Sequence, residues 1–531
     1  MKNNSILIFK PLVWLALAVF LFSSCDKFLD EMPDNRAEVD SDTKIEKLLV
    51  SAYPDRAFIM ITEMSSDNVD DYGENNPNTD RFVDEVYHWQ DGTEDDNESA
   101  EAVWAASYSA IAAANQALQA IEGLENPEDV AMQEAKGEAL LCRAYNHFVL
   151  VNFFCMHYNE ATSSTDLGIP YMEEVESTLQ PHYERGNVAE VYQKIERDLE
   201  EGLKLVGESY YEQPKYHFNK KAANAFAARF YLYYGKWEKA RDYATAVLGS
   251  QPKLMLRDWA YQATMTQEYE AIVNHYIAST LNCNLMLCTG MSAVGMAFGP
   301  YMYYTRYSHG AYLANNETGN AQNIWGSEGY YSPMKVYGAT NLDRTIFWKL
   351  PFLFEETDPV AQIGYYRTVY PAFTGDETIL IRAEANVMLN NYDAACEDLT
   401  TWLQNINKTS YVLTPAKVQA FYQPIAYSYD DDTKMNSTIK KHLNPAFTID
   451  AEGSMQECML QCVLGFRRIE TLQTGLRWFD VKRYGIEIVR RVMDDKGQPV
   501  TLVDVLKKND PRQAIQIPQK VLSAGIAANP R

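Results

Sequence analysis

The sequence predicts a mainly α-helical protein in which tetratricopeptide-like helix-pair repeats carry a large irregular, loop-rich subdomain. Three observations predict it. Apolar residues recur at helical steps of three and four over most of the chain outside a few long loops. Two helical segments far apart in the chain resemble each other at their turn and on their apolar faces. Between them lies a stretch rich in Tyr, Gly, Asn and Pro, without long periodic runs. The composition is that of a folded protein, 47% hydrophobic and 22% charged. Its 531 residues exceed what one ordinary core needs. The net charge of −25, with no cluster of Lys and Arg, makes nucleic acid a poor partner.

The amino terminus comes first. Lys2 and Lys10 precede the apolar run Pro11–Phe22, which has the length of a signal-peptide core. It is too short to cross a bilayer, which takes roughly 20 residues. Phe22-Ser23-Ser24-Cys25 follows, directly before the acidic Asp26-Lys27-Phe28-Leu29-Asp30-Glu31. Small residues before a Cys at that place look like a bacterial lipobox, with Phe22 looser than the usual Leu. The reading is a signal peptide over 1–24 and acylation of Cys25, each buried CH₂ of the acyl chains contributing about 0.8 kcal/mol to anchoring. A tether and first helix then occupy 25–61, and a single body 62–531.

Helices follow in order. Trp104, Tyr108, Ile111, Asn115 and Leu118 share one face. Asn126-Pro127-Glu128-Asp129 breaks the pattern, and a second helix spans about 130–158, carrying Leu140, Ala144, Phe148 and Val151. A further helix over about 187–206 carries Val188, Val191, Ile195, Leu199 and Leu203. The repeat lies in the next pair. Phe226, Phe230 and Tyr234 lead to Gly235-Lys236, then Trp237, Ala240 and Ala244. Leu380, Ala383 and Val387 lead to Asn390-Asn391, then Tyr392, Ala395 and Leu399. Gly and Asn suit the left-handed residue that ends a helix. Repeats are thus placed at about 101–250 and 376–406, and the loop-rich ligand region at about 251–375. Two further irregular stretches cover about 62–100 and 407–455, and no strand is placed in any of the three.

Signals for chemistry are weak. There is no Gly-x-Ser-x-Gly, no phosphate-binding glycine loop and no His-Glu-x-x-His. Cys142, Cys155, Cys283, Cys288, Cys396, Cys458 and Cys462 lack zinc spacing and are read as buried thiols. Asp67-Asn68 and Asp70-Asp71 lack the order of a calcium loop, so no metal and no cofactor is expected. Arg477-Trp478-Phe479-Asp480 is read as structural, with Arg477 and Asp480 pairing three apart.

Binding signals are stronger. Residues 298–337 hold ten aromatics, twice the density of the chain as a whole. Tyr301, Tyr303, Trp325 and Tyr330 stand among Arg306 and Asn323. Aromatic faces stack on the C–H face of a sugar, and amide and guanidinium groups meet its hydroxyls.

The order of several motifs resembles the SusD/RagB family of outer-membrane nutrient-binding lipoproteins. They are Cys25-Asp26-Lys27-Phe28-Leu29-Asp30, the Trp104–Asn115 face, Leu141-Cys142-Arg143-Ala144-Tyr145 and Asp166-Leu167-Gly168-Ile169-Pro170. Val188–Leu199, Leu380–Ala385, Gly475–Gly485 and Ile517-Pro518-Gln519 continue the order. The likeness covers most of the chain, although the variable middle matches nothing specific. The resemblance implies a cell-surface, lipid-anchored protein of the outer membrane that holds an oligosaccharide and hands it to a TonB-dependent, SusC-like transporter barrel, without enzyme activity. A peptide ligand is the alternative within the family, and a hydrolase on a helical scaffold is the more distant one. It also implies that an early acidic loop lies near the ligand, which adds Asp67 and Tyr72, with Trp89 nearby, to the candidate residues.

Overall fold

Side-chain oxygens set just ahead of the apolar periodicity start the long helices. Ser99, Asn187, Asn219, Thr374 and Ser454 each accept a hydrogen bond from the backbone N–H three residues on. At Asn187 the Glu190 carboxylate closes a reciprocal capping box. The helices so begun are α1 (Ala100–Glu122), α3 (Val188–Leu205), α4 (Lys220–Tyr233), α6 (Gly375–Met388) and α8 (Met455–Glu470). α2 (Val130–Phe154) follows α1, α5 (Trp237–Leu248) follows α4, and α7 (Tyr392–Ile406) follows α6. A short α9 (Arg477–Tyr484) comes after α8. The computed structural model describes residues 39–74, 76–177, 183–301, 303–337 and 344–531. The signal-peptide and Cys25 readings lie outside them. Asp42–Arg531 form one compact unit.

α1 packs on α2, α2 on α3, α4 on α5, α5 on α6, α6 on α7 and α8. Two turns set this geometry. Gly235 (φ +72°) ends α4 and Asn390 (φ +60°) ends α6, both left-handed, so each pair doubles back within a few residues. α2 and α3 approach at Gly137 and Gly202: a Cβ on Gly202 would lie 2.8 Å from the Leu141 side chain. The chain is mainly helical, as the periodicity predicts.

The stretch between α5 and α6 holds the strands that the sequence left unplaced. β2 (Asn284–Met291) pairs antiparallel with β7 (Ile363–Thr374), which pairs with β6 (Leu353–Asp358). β4 (Lys335–Tyr337) and β5 (Arg344–Ile346) form a ribbon. A separate four-stranded sheet runs β3 (Tyr307–Ser308), β1 (Asp70–Asp71), β8 (Ile488–Met493), β9 (Pro499–Leu506). All seven described cysteines are free and buried. Among the described residues, no helix is long and apolar enough to cross a membrane, and no group of three or more His, Cys, Asp or Glu is placed to hold a metal ion.

Candidate ligand-binding surface

The early acidic loop is consumed by the interior. β1 sits between β3 and β8, so its flanking carboxylates meet arginines from the end of the chain. Arg477 forks onto Asp67 (2.8 and 2.9 Å), and Arg468 approaches it at 3.4 Å. Arg491 forks onto Asp70 (2.9 and 3.2 Å). Glu317 receives Arg468 and Lys441, each at 2.7 Å. Burial alone would raise the Asp67 pKa, but Arg468 and Arg477 outweigh it and hold the group far below the usual carboxylate range. Asp67 is therefore a buried counter-charge, which takes its side chain out of reach of a ligand. The same network corrects a pairing: Arg477 goes to Asp67, while Asp480 takes Arg467 (3.0 Å) and Arg483 (3.3 Å).

Other expected site residues also turn inward. Tyr72 is buried with its hydroxyl over Gly310, where any Cβ would collide. Trp89 donates from Nε1 to the Ser65 carbonyl (2.9 Å) and lies 4.2 Å from the Arg490 guanidinium; its backbone is left-handed at φ +53°. Its ring borders a cavity of about 510 Å³. Trp325 is buried against Phe466 of α8 at 5.7 Å, and Tyr330 is buried against Phe347 at 6.0 Å and Trp325 at 6.2 Å. Asn323 closes its own turn, donating to the Gly319 and Ala321 carbonyls. Arg306, partly exposed, forks onto Asp71 (2.8 and 3.1 Å).

Tyr301 and Tyr303 stay partly exposed, and the β6–β7 hairpin extends them into a strip. Register places Phe354 directly opposite Tyr366. Their rings lie 5.9 Å apart, Phe352 lies 5.3 Å from Tyr366, and Tyr301 meets Phe352 edge-on at 5.1 Å. Phe354 is 49% and Tyr366 40% exposed, unusual for rings with so many neighbours. Beside the strip, Tyr303 donates to the Tyr304 hydroxyl (2.9 Å), which donates to Asp80 (2.6 Å). Burial raises the Tyr303 pKa, and the nearby Asp80 and Tyr366 add to the rise. Tyr304 holds φ +55°, a strained conformation for an aromatic residue and one that clusters at functional sites. On the hairpin, Arg367 pairs with Glu355 (2.7 Å), and Tyr365 donates to the same carboxylate (3.1 Å).

Glu98 stands out as a buried acid near Tyr303. Burial pushes its pKa up to about 7. Its oxygens accept from the Ser292 hydroxyl (3.1 Å) and the Ala293 N–H, so it fixes the turn after β2. Chemically, the strip offers ring faces with phenol and guanidinium edges, the equipment for stacking and hydrogen bonding. Tyr304 is one of the ten aromatics of 298–337, while Phe352, Phe354 and Tyr366 lie beyond that stretch; the signal for those three is the run Pro351-Phe352-Leu353-Phe354 facing Tyr365-Tyr366 across a short turn.

Comparison with known proteins adds the following. Residues 27–232 match a family model, SusD-like, described as starch-binding associating with outer membrane. No curated protein sequence is matched. A SusD superfamily protein from Bacteroides vulgatus superposes with TM-score 0.60 at 19% identity, over 92% of this chain and 98% of its own. A SusD-like carbohydrate binding protein from the same species gives 0.57 at 16%, over 91% and 96%. A laminarin binding SusD-like protein gives 0.52 at 14%, over 92% and 99%. Residues 27–232 thus match the SusD-like family model, and the fold of the chain is similar to that of SusD-like structures over more than nine-tenths of its length.

Proposed function

We propose that this protein binds an oligosaccharide on the Tyr301–Phe352–Tyr366–Phe354 strip and performs no chemistry on it. The observation that carries the reading is the continuity of those four rings, two of them among the more exposed large side chains of the fold. Stacking gives modest affinity per ring and lets a ligand leave again. The description of the matching family and the carbohydrate-binding and laminarin-binding names of two fold neighbours support the same class of ligand. The signal and lipobox at 1–25 support lipid anchoring on the outer membrane, facing outward, and the family supports transfer to a SusC-like, TonB-dependent barrel.

Calorimetry against a panel of neutral glucans and other oligosaccharides tests the site. Binding by the native protein, weakened in Tyr301→Ala and Tyr366→Ala, supports it; equal affinity in both variants removes it. Appearance of shorter products during incubation would make the protein a hydrolase. Palmitate labelling that disappears in Cys25→Ala tests the anchor, and co-purification of a barrel from membranes tests the partner. One feature favours a second reading. β6 is the edge strand of its sheet, and a peptide could add to it by backbone pairing. Slowed amide exchange along 353–358 with a peptide, but not with a glycan, would mark that mode.

A further inference from the structure

The aromatic strip ends at Tyr301, and two cations stand at that end. Tyr301 meets the buried Tyr269 edge-on at 5.8 Å, and Trp348 meets the same ring edge-on at 5.9 Å. Tyr269 is anchored by its hydroxyl, which donates to the Leu350 carbonyl (2.6 Å). Trp348 donates from Nε1 to the Tyr337 hydroxyl (2.9 Å). The Lys335 ammonium lies over the Trp348 ring, 4.8 Å from its centroid, and donates to the Gln267 side-chain oxygen (3.2 Å). Lys335 and Tyr337 stand two apart on β4 and so share a face of the ribbon. Both are partly exposed, as is Trp348. The second cation is Arg344, opposite Tyr337 in the ribbon and 3% exposed. It donates to the Tyr301 and Tyr303 carbonyls (2.9 and 2.6 Å), which sets its charge beneath the end of the strip.

Among the described residues, neither Lys335 nor Arg344 has a carboxylate partner. The other guanidinium groups beside the strip do: Arg306 is forked onto Asp71, and Arg367 is paired with Glu355. The Glu270 carboxylate raises the pKa of Tyr301 and Tyr269, but burial alone acts on Lys335 and Arg344 and lowers both, Arg344 to about 10. A chain of net charge −25 repels anions, so two uncompensated cations beside exposed rings mark a place where an anion is welcome. We propose that the strip takes an acidic oligosaccharide, its sugar rings against the aromatic faces and an anionic substituent at the Tyr301 end meeting the Lys335 ammonium. This inference rests on the strip being an oligosaccharide site and adds the charge of the ligand. Trp348 and Gln267 hold the ammonium in place before the ligand arrives, which lowers the ordering cost of binding. An ammonium has three donors and Gln267 takes one. The Tyr337 hydroxyl accepts from Trp348 and keeps its own proton to donate to the same anion. An ammonium is a point charge without a planar fork, so a uronic carboxylate and a sulfate ester both satisfy it.

The test is calorimetry of the full chain against pairs of oligosaccharides that differ in charge alone. The probes are oligogalacturonate and its methyl ester, glucuronoxylan oligosaccharide and the matching neutral xylo-oligosaccharide, and κ-carrageenan oligosaccharide and its desulfated form. In at least one pair the acidic member binds about fivefold tighter, the scale of a partly exposed ion pair. High salt shrinks that preference. The first two pairs report a carboxylate and the third a sulfate ester. Lys335→Gln abolishes the preference, and Lys335→Arg, which keeps the charge, retains it. Acidic members that bind no tighter than their neutral partners in all three pairs would overturn the proposal and leave the strip standing. A preference that survives in Lys335→Gln would do the same. If Tyr366→Ala leaves every affinity unchanged, or no probe of either charge binds, the strip falls and the acidic subsite falls with it.

Discussion

The acidic loop 67–71 and the aromatic strip 301–366 are made of residue types that bind ligands, yet the fold treats them in opposite ways. Asp67 and Asp70 are 4% and 2% exposed and forked by Arg477 and Arg491. Phe354 and Tyr366 pack against neighbours and still keep much of their faces in solvent. Charged groups are drawn inside when opposite charges wait there, because an unpaired buried carboxylate is costly and a forked pair offsets that cost. Rings on an edge hairpin have no second layer to cover them. Residue type therefore says what a side chain can do, and its distant partners decide whether it is free to do it.

That contrast is easiest to break at Asp67. Asp67→Asn leaves Arg477 and Arg468 with a weakened partner, and stability falls by about 4 kcal/mol, within the roughly 3–5 kcal/mol range for broken buried pairs. Urea unfolding measures the loss, and the folded fraction retains native glycan affinity. Trp325→Ala opens a cavity against Phe466 and lowers stability by about 3 kcal/mol, again with affinity unchanged. Lost affinity in either folded variant would return that residue to the binding surface. The strip behaves in reverse. Phe354→Ala/Tyr366→Ala changes stability by within about 0.5 kcal/mol. Glycan affinity in that variant falls about tenfold or more by calorimetry, near 1.4 kcal/mol.

The smallest effect is a pH response confined to the interior. His147 is fully buried, accepts the Met172 N–H at Nε2 (3.0 Å) and so carries its proton on Nδ1, toward the Arg143 carbonyl (2.8 Å). Burial lowers its pKa to about 3. A depressed folded-state value means that stability is fully present above the unfolded pKa, near 6.5, and is lost as pH falls toward 3. The native advantage over His147→Gln should shrink by about 1.4 kcal/mol per pH unit below 6.5. Chemical unfolding at pH 7, 6 and 5 checks this. A gap that stays constant would mean that the ring is not held neutral.

The helix pairs are legible in sequence because their signals are local. A capping oxygen, apolar steps of three and four, and Gly235 or Asn390 at the turn all act within one or two turns of helix. The strands were not legible. β7 reads Ile363-Gly364-Tyr365-Tyr366-Arg367-Thr368, with no clean alternation, because its first half is an exposed hairpin and its second half lies buried between β2 and the helices. Three of the four rings of the strip were therefore not read from sequence, and Trp325 and Tyr330 pack inward. The aromatic density of that stretch was legible, while Trp325 turns toward Phe466 of α8, more than a hundred residues downstream, and Tyr330 toward Phe347.

By itself, the sequence determined where helices start and turn, that they pack in pairs, and that aromatic rings gather in the stretch between the two repeats, because each of these follows from spacing along a short length of chain. The tertiary structure alone decided which acids and rings are available to a ligand. Asp67 meets Arg477 across 410 residues, and Tyr301 joins Phe352 and Tyr366 only through strand register and loop packing. Electrostatic pairing and burial act through space, so no local pattern carries them.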